Sequence, residues 1–292
     1  MAWGFQRLSQ LARRAARVTA PLSMVGFLAT SPVAAGHDVF HIFSPTVEAG
    51  HWDVEALSAF AFKRPVPEVG EHAAPRAAAE LGVHAGVTDF WMAKLALGAE
   101  REEGGSLALT AVALENVFRF TRTARGPVDF AWFTAVGAGL GSESTNAVEF
   151  GPIVSYAAGP TSLVLNPFFE KTFGKNHEEG IAFTYAWRLA HQIARQLSVG
   201  LEGYGEIENI GNAPDVQHQV HRIGPVLYLG SLHGAQSSPH GHGASASTVG
   251  GHDHNAHAGQ GLGEWRAEIG VLFGLTEATP GTALKLNVGL EF

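Results

Sequence analysis

The last 29 residues, Glu264–Phe292, read EWRAEIGVLFGLTEATPGTALKLNVGLEF and decide the fold. Leu284, Leu286, Val288, Leu290 and Phe292 fall on one face of an extended chain, with Lys285, Asn287, Gly289 and Glu291 on the other. The stretch before the turn TEATPG repeats the pattern. Trp265, Ala267, Ile269, Val271, Phe273 and Leu275 oppose Arg266, Glu268, Gly270 and Gly274. A period of two is the signature of a strand with two unlike faces, and the Thr-Pro-Gly cluster between the runs is turn chemistry. Two adjacent strands with the same sidedness predict an antiparallel pair.

The same signal extends back through the chain. It predicts twelve strands, at about 47–62, 78–88, 90–100, 106–120, 128–140, 146–157, 161–173, 180–189, 197–208, 217–230, 263–275 and 281–292. Between them lie EEGGS, RGPV, GSESTN, AAGPTS, GKNHEEG and NIGNAPD, all rich in turn formers. Alternation alone fits a soluble sandwich as well as a membrane barrel. Long strands, an even count and a terminal aromatic favour the barrel. The terminal Phe resembles the last-strand signal that the assembly machinery of Gram-negative outer membranes reads. The expectation is an all-β, closed, antiparallel up-and-down transmembrane barrel that leaves no strand edge in lipid.

Composition agrees. The 292 residues include 36 Gly and no Cys, so disulfides and thiolate chemistry are excluded. A formal net charge of -8 and the lack of a basic stripe argue against a nucleic-acid partner. No run of eighteen apolar residues follows the N-terminus, which excludes a helical membrane protein. The N-terminus carries Arg7, Arg13, Arg14 and Arg17, then a short apolar stretch, then SPVAA, with Val33 and Ala35 at signal-peptidase positions. Residues 1–35 therefore read as a signal peptide, 36–46 as a periplasmic segment and 47–292 as the barrel. The segment GHDVFHIFSPTVEAG, with Phe40, Ile42 and Phe43, either closes the barrel or lies at its rim.

The polar faces then point into a lumen. They carry Glu80, His84, Lys94, Glu115, Arg119, Glu149, Asn166, Glu170, Glu202, Tyr204, Glu206, Arg222, Arg266, Glu268 and Lys285. Mixed acids and bases fit a salt-bridge network that fills a narrow barrel. They equally fit charge rings along a solute path. No G-x-S-x-G or H-E-x-x-H occurs, and NHEEG lacks the second His, so an enzyme is not expected.

VEFGPIVSY, LNPFFEKTFG, EGIAFTYAW, GLEGYGEIE, HRIGPVLYL and the C-terminal run resemble exported proteobacterial barrels similar to the transporter-like barrels of phenol-degradation clusters. More distantly they resemble FadL-type channels. The resemblance implies a location in the outer membrane, contact with its lipid and the barrel-assembly machinery, and passage of a small-molecule solute. The alternative is a filled, non-conducting structural or metal-handling barrel.

One tract stands apart. HGAQSSPHGHGASASTVGGHDHNAHAG, within an insertion at 231–262 expected to be disordered, holds His233, His240, His242, His252, His254 and His257, with Asp253. Its composition cannot build a core, and close-spaced imidazoles suit Zn, Cu or Ni. No cofactor is required by the rest of the chain. With both termini in the periplasm, twelve strands place this tenth connection there as well, near His37, His41, His51 and His191.

Overall fold

Twelve antiparallel strands close on themselves in a computed structural model of the chain, in the order of the sequence, with β1 paired to β12. The structure describes residues 39–63, 77–101, 105–121, 126–141, 145–230, 264–279 and 281–292. The strands are β1 (Trp52–Lys63), β2 (Ala77–Thr88), β3 (Trp91–Arg101), β4 (Ala108–Arg119), β5 (Val128–Gly139) and β6 (Asn146–Ala158). The second half comprises β7 (Thr161–Phe173), β8 (Ala182–Ala194), β9 (Leu197–Ile207), β10 (Val220–Leu229), β11 (Trp265–Gly274) and β12 (Thr282–Glu291). The seam runs from Asp53↔Glu291 to Lys63↔Thr282.

The faces are inverted relative to a water-soluble protein. Leu81 is 50% exposed and Leu109 57%, whereas Lys94 and Lys285 are 1% exposed and Glu202 0%. A soluble sandwich cannot leave its leucines wet and bury its charges. A closed barrel in lipid requires that arrangement, because every backbone polar group is paired around the ring and the outer band meets hydrocarbon.

Two of the twelve boundaries differ in an informative way. The first strand was expected from Val47, but it begins at Trp52. Of the two places open to the segment before β1, closing the barrel or lying at its rim, residues 39–46 take the first, and Val47 joins them: Val39, Phe40, Ile42, Phe43 and Val47 are all buried. Their apolar side chains find in the lumen the burial that a periplasmic segment would deny them. The eighth strand, expected to stop at 189, continues to Ala194. His191 is therefore in a strand, its Nδ1 2.9 Å from Thr161 Oγ1, and not in a connection.

The two ends of the barrel are unlike. At the end holding the start of β1 and the close of β12, β2–β3, β6–β7 and β8–β9 are joined by two residues each: Asp89–Phe90, Gly159–Pro160 and Arg195–Gln196. Gly159 has φ +57°, a left-handed turn position where a side chain is disfavoured. The opposite end carries longer connections, including 208–219 with two short 3-10 turns at Ile210–Asn212 and Val216–His218. The β10–β11 connection leaves from Gly230 and returns at Glu264, at the short-turn end. Its residues 231–262 and the seven metal candidates lie outside the described residues, as does the expected signal peptide.

Candidate functional site

The lumen has two unlike walls with the N-terminal segment wedged between them. One wall is apolar. Val117 on β4, Ala131, Phe133 and Ala135 on β5, Ile153 on β6 and Phe168 on β7 all belong to one buried cluster. Phe133 and Phe168 stack at 4.6 Å between ring centroids, 14° apart. Phe43 from the segment packs on both, at 4.2 Å and 5.9 Å.

The facing wall is ionic. Lys94 Nζ sits 2.7 Å from Glu55, 2.6 Å from Glu80 and 3.2 Å from Glu115. Lys285 Nζ sits 2.8 Å from Glu202 and 2.6 Å from Glu268. Arg266 pairs with Asp53 and reaches Glu55 at 3.3 Å, and Arg188 lies 3.6 Å from Glu268. Glu202 also accepts hydrogen bonds from Tyr228 at 2.8 Å and Tyr204 at 2.6 Å. Charges this deep are tolerable only when paired and hydrogen-bonded, and here two ammonium groups each hold more than one carboxylate.

The segment is gripped at two places. Asn166 on β7 is 1% exposed and clamps the backbone of Phe43. The Phe43 N–H donates to Asn166 Oδ1 at 2.7 Å, and Asn166 Nδ2 donates to the Phe43 carbonyl at 3.0 Å. The second grip is Phe40, whose φ of +57° is a left-handed conformation that costs a non-glycine residue roughly 1–2 kcal/mol. Its surroundings hold it there. Arg222 lies over its ring at 4.7 Å, Tyr204 packs at 5.2 Å, and the Tyr204 hydroxyl is 3.0 Å from the Phe40 carbonyl. Between the grips, the His41 ring packs on Phe43 at 4.2 Å, tilted by 47°, and Lys94 Nζ lies 3.4 Å from His41 Nδ1.

All the expected lumen residues lie on the inward face or at its ends. Glu80, Lys94, Glu115, Glu149, Asn166, Glu170, Glu202, Tyr204 and Lys285 are buried. His84, Glu206, Arg222, Arg266 and Glu268 are partly so. Glu149 accepts from Thr184 at 3.2 Å and stands opposite Glu170 across the β6–β7 pair. Arg119 meets Asp129 at 3.4 Å near the short-turn end. The structure does not collect these residues into one ring: Glu202 belongs to the Lys285 network, whereas Glu206 pairs with Val220 close to the opposite rim.

Four participants in the ionic wall escape the sequence reading: Asp53, Glu55, Arg188 and Tyr228. Asp53 and Glu55 alternate with Val54 and Ala56, and period two carries both inward in the first strand. Tyr228 sits in a run, GPVLYL, that is apolar on both faces and so gives no such signal.

At the short-turn end the lumen opens into a cleft of about 130 Å³. His41, Phe43, Thr46, His84, Arg266 and Glu291 are among its lining residues, so the segment forms part of its wall.

No protein-family model and no curated protein matches the sequence. The fold does have solved counterparts. The COG4313 outer membrane channel from Pseudomonas putida F1 superposes with a TM-score of 0.52 at 10% identity, covering 85% of this chain and 97% of that one. The KdgM porin gives 0.45 at 9% identity, covering 83% and 99%. The NanC porin gives 0.47 at 8% identity, covering 82% and 98%. What the likeness carries is the barrel. A specific kinship to phenol-degradation-cluster or FadL-type barrels is not carried by it.

Proposed function

We propose that the chain is an outer-membrane channel for a small amphipathic solute, held shut by residues 39–47. The observation that carries this reading is the clamp between Asn166 and Phe43 at the centre of the lumen. A merely structural filler needs burial. A backbone clamp of two hydrogen bonds suits a segment that docks and leaves. When it leaves it uncovers an aromatic wall opposite a charged one. A solute with an apolar body and a polar end then finds on those walls the partners that Phe43 and the segment backbone occupied. The inverted faces, with leucines outside, support the outer-membrane location. The likeness of several sequence segments to transporter-like barrels of phenol-degradation clusters fits the same solute class. Neither feature requires a catalytic step, and the reading is of a non-enzyme.

The His-rich connection fits as an exchangeable reservoir for Zn, Cu or Ni on the periplasmic side. Its described flanks, Gly230 and Glu264, are at the same end as the start of β1 and the short turns.

Solute uptake into liposomes containing the full-length protein tests the channel reading. Asn166→Ala should raise uptake of small amphipathic solutes well above the wild-type rate while the barrel keeps its heat-modifiable migration. Equal uptake by the two proteins would leave a filled, non-conducting barrel as the better account.

A further inference from the structure

We infer that Glu48, His51 and Glu291 form a binding site for a divalent transition-metal ion at the seam where the barrel closes. One ligand atom from each side chain lies within 4.8 Å of the other two. His51 Nδ1 is 2.7 Å from Glu291 Oε1, and its Nε2 is 3.6 Å from Glu48 Oε2. The side chains of Glu48, His51 and Glu291 are 60%, 52% and 24% exposed, so an arriving ion can keep water on its remaining positions.

The backbone holds these ligands in place without an ion. Glu48 and His51 flank a tight turn in which Gly50 adopts φ +86° and donates to the Gly86 carbonyl at 2.8 Å. The turn presses so closely on β2 that a Cβ on Gly86 would overlap the Glu48 carbonyl. Glu291 is fixed from the other side: its N–H donates to the Glu264 carbonyl at 2.9 Å, and the Phe292 N–H donates to the Trp52 carbonyl at 2.7 Å. Two independently anchored elements therefore bring their side chains together at one point, which lowers the ordering cost of binding.

A second trio among the described residues, His41, Glu55 and Glu80, has similar spacing but a different status. Lys94 Nζ already lies within hydrogen-bond distance of both its carboxylates, so that cluster has its cation. The rim trio is bridged by an imidazole instead. An imidazole with two carboxylates selects Zn, Ni or Cu over Mg or Ca, which take oxygen ligands. The position adds a consequence: an ion there ties the turn by which the segment leaves the lumen to the last strand. That consequence rests on the channel reading, but the site does not.

The test is calorimetric titration of Zn(II) into the full-length protein in detergent. His233, His240, His242, His252, His254 and His257 are first replaced together by Asn, so that the tract cannot mask the rim. One equivalent of zinc should still bind. His51→Gln and Glu291→Gln should each weaken it by at least about tenfold. X-ray absorption at the zinc edge should show one imidazole nitrogen. If His51→Gln fails the gel-migration test of folding, Glu48→Gln replaces it. No zinc bound once the tract histidines are gone, or binding that these variants leave unchanged, would overturn the site. Neither result bears on solute uptake, which is measured separately.

Discussion

The two walls of the lumen are built from the same alternating strands, yet they solve burial by different physics. The apolar wall, around Phe133, Ile153 and Phe168, packs like the core of a water-soluble domain and holds Phe43 by contact area. The ionic wall, around Lys94 and Lys285, buries carboxylates that tolerate burial only because cations sit among them. The difference teaches where each wall is fragile. An apolar wall loses stability in proportion to the atoms removed. A charge network loses it abruptly when the cation is removed, because the partners stay behind uncompensated.

Lys94→Met breaks that comparison hardest. It takes the cation from Glu80 and Glu115 and leaves Glu55 to Arg266, and it should cost roughly 3–5 kcal/mol, read from the midpoint of urea unfolding in lipid. Replacing Lys94 together with its carboxylate partners by apolar residues should recover most of the loss. A single variant as stable as wild type would show that the network does not behave as a unit.

On the other wall, Phe43→Ala should leave the barrel's own unfolding nearly unchanged. It removes about 1.5–3 kcal/mol of burial from the docked segment, so its effect belongs on segment release and on uptake. A large fall in barrel stability would mean that the segment is part of the core and not a separable stopper.

Asn166→Leu keeps the branched shape of the side chain while removing two hydrogen bonds, each worth about 0.5–1.5 kcal/mol. Segment release, followed by protease access to residues 39–47, should rise about tenfold, somewhat less than for Phe43→Ala.

The smallest effect sits at the rim. The hydrogen bond that His51 donates to Glu291, with Glu48 nearby, raises the His51 pKa above the ordinary 6.5. A raised histidine contributes its tie below pH 6.5 and loses it as pH climbs through the raised value. Glu291→Gln should bring the His51 titration, followed by NMR, back toward 6.5. No movement would remove the hydrogen bond as the cause.

Much of this contrast was legible in the residues themselves. Lys94, Glu115, Glu202 and Lys285 stand at alternate positions among leucines and valines, and a period of two carries them inward together. The partnership of Lys285 with Glu202 was not legible, because it joins strands 83 residues apart across the lumen. The segment shows the other limit. Phe40, Ile42 and Phe43 demand burial in any reading, but hydrophobicity does not say against what. Beginning the first strand at Val47 left both readings open and set Val47 and Ala49 on the same face as Asp53 and Glu55, which mixed its signal. The histidines at 37, 41 and 51 looked alike as rim donors. The fold separates two of them, taking His41 into the lumen beside Lys94 and leaving His51 at the seam.

Whether residues 39–47 close a lumen that otherwise conducts is read from the planar-bilayer conductance of the full-length protein beside a variant in which 39–47 are replaced by a Gly/Ser stretch of equal length. The wild type should be mostly closed and the variant should show sustained openings, with both proteins folded by gel migration. Indistinguishable conductance in two folded proteins would contradict that closure.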